Sequence, residues 1–212
     1  VQKEMLAKQG EYIKANPNSN GSVALLARMP VEEFATYDKI ISAAVKGGML
    51  APVYNSVKAA YEKEQERQAN ASKLQPGMMA PDFTLPTIDG GNLSLSSLRG
   101  KYVIIDFWGA WCVWCIKGMP EMKKYYEKYK DKLEILGVDC RDKVEKWKAA
   151  VEKHQLTWKH VRNSEGSEDI TGKYAIQGYP TKVLIDPQGK IVKYIVGEDP
   201  AFYTVLDETL GK

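Results

Sequence analysis

Over the first third of the chain, apolar residues recur at helical spacing between clusters of turn formers. A first helix is predicted from Gln2 to Ala15, ending at Asn16-Pro17-Asn18-Ser19-Asn20-Gly21. Ser22 is suited to cap a short helix running through Arg28. Pro30 suits the first position of the next, with Glu32 and Glu33 at its positive end. Phe34, Tyr37, Ile40, Ile41 and Ala44 form the inner face of that helix, and Gly47-Gly48 stops it. From Pro52 to Ala71 a longer helix carries Val53, Val57, Ala60 and Tyr61 on one face and a charged far half. Ser72 to Pro81 holds two prolines and a glycine and is the predicted junction. The chain is therefore read as a helical N-terminal appendage, residues 1–75, and a second domain, residues 76–212. Two readings of the appendage stay open. One is a helical addition packed on the second domain; the other is a partner or dimer surface, or the remnant of a larger upstream domain.

Beyond the junction the period changes. Asp82 to Leu85 and Asn92 to Leu95 flank Thr87-Ile88-Asp89-Gly90-Gly91, a hairpin signal. The run Tyr102-Val103-Ile104-Ile105-Asp106-Phe107 is continuous and mostly β-branched up to Ile105, the mark of a strand buried on both faces. After it, Ile116, Met119, Met122, Tyr126, Tyr129 and Leu133 follow a helical spacing. Leu133 to Val138 reads as a second buried strand, and Lys143 to His154 as an amphipathic helix with Val144, Trp147 and Val151 inward. Trp158 to Val161 suits a short strand and Ser167 to Tyr174 another helix. Lys182 to Ile185, the turn Asp186-Pro187-Gln188-Gly189 and Lys190 to Val196 make a terminal hairpin, and Pro200 to Leu210 closes with a helix. Strands interleaved with helices, plus an antiparallel hairpin, argue an α/β sheet covered on both faces. His154 and His160 read as solvated helix-end and strand residues.

Composition narrows the picture only in places. With 44% apolar residues the 212-residue chain has ample material for a core. Thirty Lys and Arg against 27 Asp and Glu leave a net charge of +3, which gives no reason to expect nucleic acid or an acidic surface as partner. No stretch approaches the roughly 18 apolar residues needed to span a bilayer. The chain opens on Val1 without a charged-then-apolar leader, as expected of a processed end or a shortened start. Three cysteines are too few for a disulfide scaffold, and their odd number suits a redox pair plus a spare.

That pair is Cys112 and Cys115, in Trp108-Gly109-Ala110-Trp111-Cys112-Val113-Trp114-Cys115, where the buried strand ends and a helix begins. The first turn of a helix offers unpaired N–H groups and a partial positive charge, which stabilise an anion. A thiolate is such an anion, so Cys112 is expected to have a lowered pKa and to act as the nucleophile. Cys115, one turn on, is close enough to close a disulfide with it. The pattern is that of a dithiol built for exchange, with no cofactor beyond the Cys112–Cys115 disulfide and no metal.

At these residues the sequence resembles the thioredoxin superfamily. Asp106-Phe107-Trp108 lies six residues before the first cysteine, where thioredoxins carry the same triplet. Pro120, five after the second cysteine, matches the proline that kinks their active-site helix, and Tyr179-Pro180-Thr181 looks like their cis-proline loop. The opening Pro76-Gly77-Met78-Met79-Ala80-Pro81-Asp82-Phe83-Thr84-Leu85 and the later Leu98-Arg99-Gly100-Lys101 look like the TlpA/ResA-like branch of envelope thiol–disulfide oxidoreductases. The resemblance implies a thioredoxin-like fold: a central mixed sheet flanked by helices, with an N-terminal hairpin and a central insertion, here preceded by an all-helical segment. It implies a protein-disulfide reductase of the bacterial periplasm or envelope, whose partners are disulfide-containing proteins and an upstream electron donor. It assigns Cys112 as nucleophile, Cys115 as resolving thiol and Asp106 as proton relay to Cys115. It also makes Pro180 cis, with Tyr179 lending its backbone to an extended substrate segment. Many TlpA/ResA-like proteins lack an acid at the position of Asp106. That branch often carries a Glu three residues after the second cysteine, where this chain has Gly118, so Asp106 is read as the remaining buried acid.

Several alternatives stay open at this point. Trp114 either joins Trp111 and Tyr179 in an apolar docking surface or folds onto the domain. Cys140 is either a half-buried unpaired thiol or a third redox cysteine. Cys112, Cys115, Cys140 and a histidine form a conceivable zinc set. The chain shares Ala80-Pro81-Asp82-Phe83 with peroxiredoxins, but Gly109 stands where their threonine precedes the nucleophile. Ile116 replaces the His that haem attachment requires after the second cysteine. The rival functions are an envelope disulfide oxidant or isomerase, and a non-catalytic binding or metal-handling module on the same fold.

Overall fold

The computed structural model describes residues 2–163 and 169–211. The chain forms two compact units that divide between Gln68 and Ala69. The first holds α1 (Gln2–Ala15), α2 (Asn20–Leu26), α3 (Phe34–Asp38), α4 (Ala43–Lys46) and most of α5 (Ala51–Ala71). Its core gathers Ile13, Val23, Leu26, Phe34, Tyr37, Ile41, Val45 and Tyr54. Ser19, not Ser22, caps α2: its Oγ accepts from Gly21 N at 3.1 Å, while buried Ser22 donates to the Asn16 carbonyl at 2.6 Å. The helix expected from Pro30 to Gly47 is broken into a 3-10 turn (Val31–Glu33), α3 and α4. The break has a tertiary cause. Ser42 N–H donates to the Pro17 carbonyl at 3.0 Å, so it leaves the helical ladder, and Val45 rather than Ala44 turns inward.

On α5 the buried face keeps Val57 and Tyr61 of the expected one but takes Tyr54 in place of Val53, and Ala60 is exposed. Tyr54 is buried and Val57 and Tyr61 are partly so, while Val53 is exposed. The Phe34 ring takes both tyrosines, with centroids 5.9 Å from Tyr54 and 5.0 Å from Tyr61. The Tyr54 hydroxyl donates to Asp38 at 2.6 Å, and Asp38 also pairs with Lys46 at 2.9 Å. An aromatic that reaches a buried partner outweighs a small valine in choosing which face turns inward.

The second unit contains β1 (Thr84–Pro86), β2 (Asn92–Ser94), β3 (Tyr102–Trp108), α6 (Val113–Tyr129), β4 (Leu133–Cys140) and α7 (Val144–Lys153). It continues with β5 (Lys159–Asn163), α8 (Ile170–Lys173), β6 (Thr181–Ile185), β7 (Ile191–Val196) and α9 (Ala201–Leu210). β1 and β2 pair as the expected hairpin. The other strands form one mixed sheet in the order β5-β4-β3-β6-β7, parallel across β5, β4 and β3 and antiparallel from β3 to β7. This is the thioredoxin-like layout, with α7, β5 and α8 as the piece between the second buried strand and the proline loop. The helix expected from Ser167 is described from Ile170, its start capped by Asp169 accepting from Thr171 N at 3.0 Å; Ser167 and Glu168 lie outside the described residues.

Side chains alternate across a strand, so β3 feeds two cores. Val103, Ile105 and Phe107 pack with Leu85, Leu95, Ile170 and Tyr174. Ile104 and Trp108 pack with Met119, Met122, Trp147, Phe202 and Leu206, on the face covered by α6, α7 and α9. Asp106 shares that second face by parity. His160, expected to be solvated, is buried at the edge of the same core beside Trp108, and desolvation lowers its pKa to about 4. α7 turns Trp147 and Ala150 inward, and Val144, expected inward, is exposed.

If α9 is held by this core and not by its own helicity, Leu206→Ala should cost about 2–5 kcal/mol in denaturant unfolding. Glu208→Ala on the exposed face of the same helix should stay within about 0.5 kcal/mol of the parent.

Candidate active site

The chain is led out of the sheet by β3, paired on both sides, and turned by Gly109 to Trp111 into α6. Across Gly109, Trp111 Nε1 donates to the Cys140 carbonyl at 3.0 Å, and any Cβ at 109 would overlap the indole. Asp142 Oδ2 accepts from Ala110 N at 2.6 Å, and Arg162 holds the Asp142 carbonyl through Nε and Nη2 at 3.1 and 2.8 Å. The turn before Cys112 is thereby pinned to the end of β4 and the loop beyond it.

Cys112 is the N-cap of α6 and is disulfide-bonded to Cys115, with S–S 2.06 Å and Cα–Cα 5.3 Å. The Cys115 N–H, a first-turn donor without a helical partner, points at Cys112 Sγ from 3.2 Å. That donor and the helix dipole favour negative charge on this sulfur once the bond opens. Both sulfurs lie in the apolar cluster around Trp108 and Met119. Pro120 lies inside α6, as the sequence placed it.

The Tyr179–Pro180 peptide bond is cis, with Pro180 buried immediately before β6. The Tyr179 ring meets Trp111 edge-on, centroids 5.1 Å apart, and Arg141 lies 5.5 Å from its centroid. Trp114 is 62% exposed, with Lys117 Nζ 4.5 Å from its ring centre. Of its two open readings, the exposed ring is the observed one. Trp111, Val113, Trp114 and Tyr179 rim the disulfide with apolar surface, unusual for a solvent-facing patch. Cys140 is wholly buried beneath this rim, its Sγ 3.6 Å from the Val138 carbonyl, and burial pushes its thiol up to about 12. It is a packed thiol rather than a nucleophile at neutral pH.

Asp106 stands between β4 and β6 on the α6 side of the sheet, and its Oδ1 has no hydrogen-bond partner among the described residues. Burial pushes its carboxyl up to about 6; Lys182 pulls the other way, and Glu198 adds to the rise. It is not the only buried acid, as the sequence suggested. Asp139 is fully buried and raised to about 8, by burial first and then by Asp142; its nearest cation, Arg162 Nε, stays 3.8 Å from Oδ2. Asp142 is itself buried, and the Glu198 carboxylate lies over Gly118. Asp139 and Asp142 sit where a strand runs into a polar loop, a pattern that reads as solvated. Lys182 begins an apolar run and reads as a strand edge. Only pairing in space exposes these groups. Among the described residues no three His, Cys, Asp or Glu side chains gather to hold a metal ion.

The sequence profile of the AhpC/TSA family matches residues 76–194. The chain belongs to this family. Thiol-disulfide oxidoreductase ResA of Bacillus cereus is 38% identical over 131 residues, which cover 61% of this chain and 75% of that protein. Thioredoxin-like protein YneN of Bacillus subtilis is 35% identical over 127 residues, covering 58% and 73%. Among solved structures, the thioredoxin domain of a thiol-disulfide oxidoreductase from Bacteroides vulgatus superposes with a TM-score of 0.60 at 36% identity, covering 65% of this chain and 99% of that one. A thiol:disulfide interchange protein from a Bacteroides species gives 0.60 at 33% identity, covering 66% and 93%. This AhpC/TSA-family chain is a thiol–disulfide oxidoreductase with a Cys-x-x-Cys pair.

Within it, the buried Asp106 has a consequence for stability. Its folded pKa is raised, so the stability it contributes is complete below the ordinary carboxylate value and is lost as pH climbs through about 6. A rise of about two units corresponds to roughly 3 kcal/mol. Asp106→Asn should therefore gain stability over the parent progressively between about pH 4 and pH 7, by an amount on that order, in urea unfolding of the oxidised protein.

Proposed function

We propose that this oxidoreductase reduces disulfides of partner proteins in the bacterial envelope and is returned to its dithiol form by an upstream electron-donor protein. One observation carries the reading: a disulfide at a helix start, beside a cis X–Pro bond and inside a rim of exposed aromatic rings. The helix start favours the Cys112 thiolate. The rim of Trp111, Val113, Trp114 and Tyr179 offers an apolar surface to a polypeptide, and the main chain at Tyr179 lies where an extended substrate segment can pair by strand addition.

The chemistry balances as two exchanges. Cys112 thiolate attacks one sulfur of the partner disulfide; the Cys112–partner bond forms, the partner S–S bond breaks, and the far sulfur leaves as a thiolate. Cys115 then gives its proton to Asp106 and attacks Cys112 Sγ, closing the 112–115 bond and releasing the second partner sulfur. The partner gains the two electrons that the pair loses; one of its two protons comes from Cys115 through Asp106, and the other comes from solvent, which received it when Cys112 ionised. Asp106 hands its proton on to the departing thiolate or to solvent. Buried and raised, its carboxyl is matched to this exchange near neutral pH.

Two tests bear on this. Cys112→Ser is expected to abolish reduction of a protein disulfide, whereas Cys115→Ser should retain the attack and accumulate a mixed disulfide visible by mass. Direction is read from the reduction potential, measured against a glutathione or dithiothreitol series by tryptophan fluorescence, with Trp108 in the same cluster as the sulfurs. A value near thioredoxin's, about −270 mV, is expected for a reductase; a value near about −120 mV would make the protein a disulfide donor and overturn the direction.

A further inference from the structure

Gly118 lies one turn beyond Cys115 on α6, and the space over it is occupied. A Cβ there would overlap the carboxylate of Glu198, which comes from the loop between β7 and α9. Glu198 Oε2 accepts from Lys182 Nζ, and Oε1 accepts from the Tyr203 hydroxyl at 2.9 Å. Lys182 is 3% exposed and stands directly opposite Asp106 across β3 and β6. A buried lysine beside a buried aspartate has every electrostatic reason to pair with it. Here the ammonium is drawn to Glu198, and Asp106 Oδ1 is left without a hydrogen-bond partner among the described residues.

We propose that Glu198 is a positioning residue for the Cys115 half-reaction: by holding Lys182 and occupying the space over Gly118, it keeps Asp106 free of an ion pair and able to take the Cys115 proton. The proposal rests on the reading of Cys115 as the resolving thiol. It explains why position 118 carries no side chain. It also supplies a carboxylate on the face of Cys115 from a loop distant in sequence. The charged and titratable groups that act on or feel Asp106 are Lys182 from β6, Glu198 from the loop after β7 and Tyr203 from α9. Glu198 opens onto a cleft of about 410 Å³ that Lys117 and Glu121 also line, so protons and water have a route to this cluster.

The sign of the effect follows from the charges. Replacing Glu198 by Gln removes a negative charge near Asp106 and frees Lys182 to pair with it. Both changes stabilise the Asp106 carboxylate, so its titration moves to lower pH.

The test uses the reduced full chain and excess 5,5′-dithiobis(2-nitrobenzoate) in stopped flow. The first thiolate released marks attack by Cys112, and the second marks attack by Cys115 on the mixed disulfide. The rate of the second phase is expected to rise with pH through an inflection near 6, and Asp106→Asn should abolish it. Glu198→Gln should lower the inflection by about half a pH unit or more. Gly118→Ala, which displaces the carboxylate while keeping its charge and favours the helix, should shift it the same way, so a folding defect in the first variant does not decide the matter. Adding Lys182→Met to Glu198→Gln should bring the inflection back up, because the lysine is the intermediary. An inflection unmoved by both Glu198→Gln and Gly118→Ala, or one that survives Asp106→Asn, overturns the proposal. Release of one equivalent in place of two overturns the assignment of Cys115 itself, and the proposal with it.

Discussion

The structure depends on β3 being buried on both faces from Val103 to Trp108. Parallel to β4 on one side and antiparallel to β6 on the other, it satisfies its main-chain groups in the sheet and gives alternate side chains to two separate cores. A strand so constrained has no freedom to slip, since a shift of one residue would exchange every core position with its opposite. The turn that follows it therefore starts from a defined point. Cys112 inherits that definition, and the carbonyl of Cys140, the carboxylate of Asp142 and the indole of Trp111 tighten it. Precision at the disulfide is a property of the sheet beneath it.

The same burial creates the electrostatic character of the site. A carboxyl on the α6 side of β3 is largely withdrawn from water, so burial raises Asp106 to about 6, within reach of proton exchange near neutrality. Its surroundings carry charge that would quench this if it were free. Lys182 is directed to Glu198, and the deeper acids Asp139 and Asp142 lie near the end of β4, where one of them anchors the turn before Cys112. Around the disulfide the surface is apolar, with exposed tryptophans and a half-buried tyrosine next to the cis bond. A polar interior under an apolar rim is the setting in which the proposed exchange with an extended polypeptide would take place.

Relatedness and geometry agree on the class of chemistry and cover the same part of the chain. The family match ends at residue 194, just short of Glu198, so the loop that brings the second carboxylate to the site lies outside it. The helical unit up to Gln68 also lies outside it. That unit has its own aromatic core of Phe34, Tyr54 and Tyr61, and its own partly buried acid–base contact at Asp38.

By itself the sequence determined the elements whose signal is local. The unbroken β-branched run of β3, the Cys-x-x-Cys step into a helix, the β1–β2 and β6–β7 hairpins and the proline after Tyr179 each follow from residues within a few positions of one another. Tertiary structure decided what required two distant segments to meet. Ser42 left its helix for the Pro17 carbonyl, Phe34 chose Tyr54 over Val53 as the inward residue of α5, and β5 carried His160 into the core. At the site, Gly118 reads in sequence only as an absent side chain. Its meaning comes from Glu198 arriving over it and from Lys182 facing Asp106 across two strands. Local periodicity reports which face of an element is apolar; it holds no information on which charged group another segment will place against that face, because that contact is made only when the sheet closes.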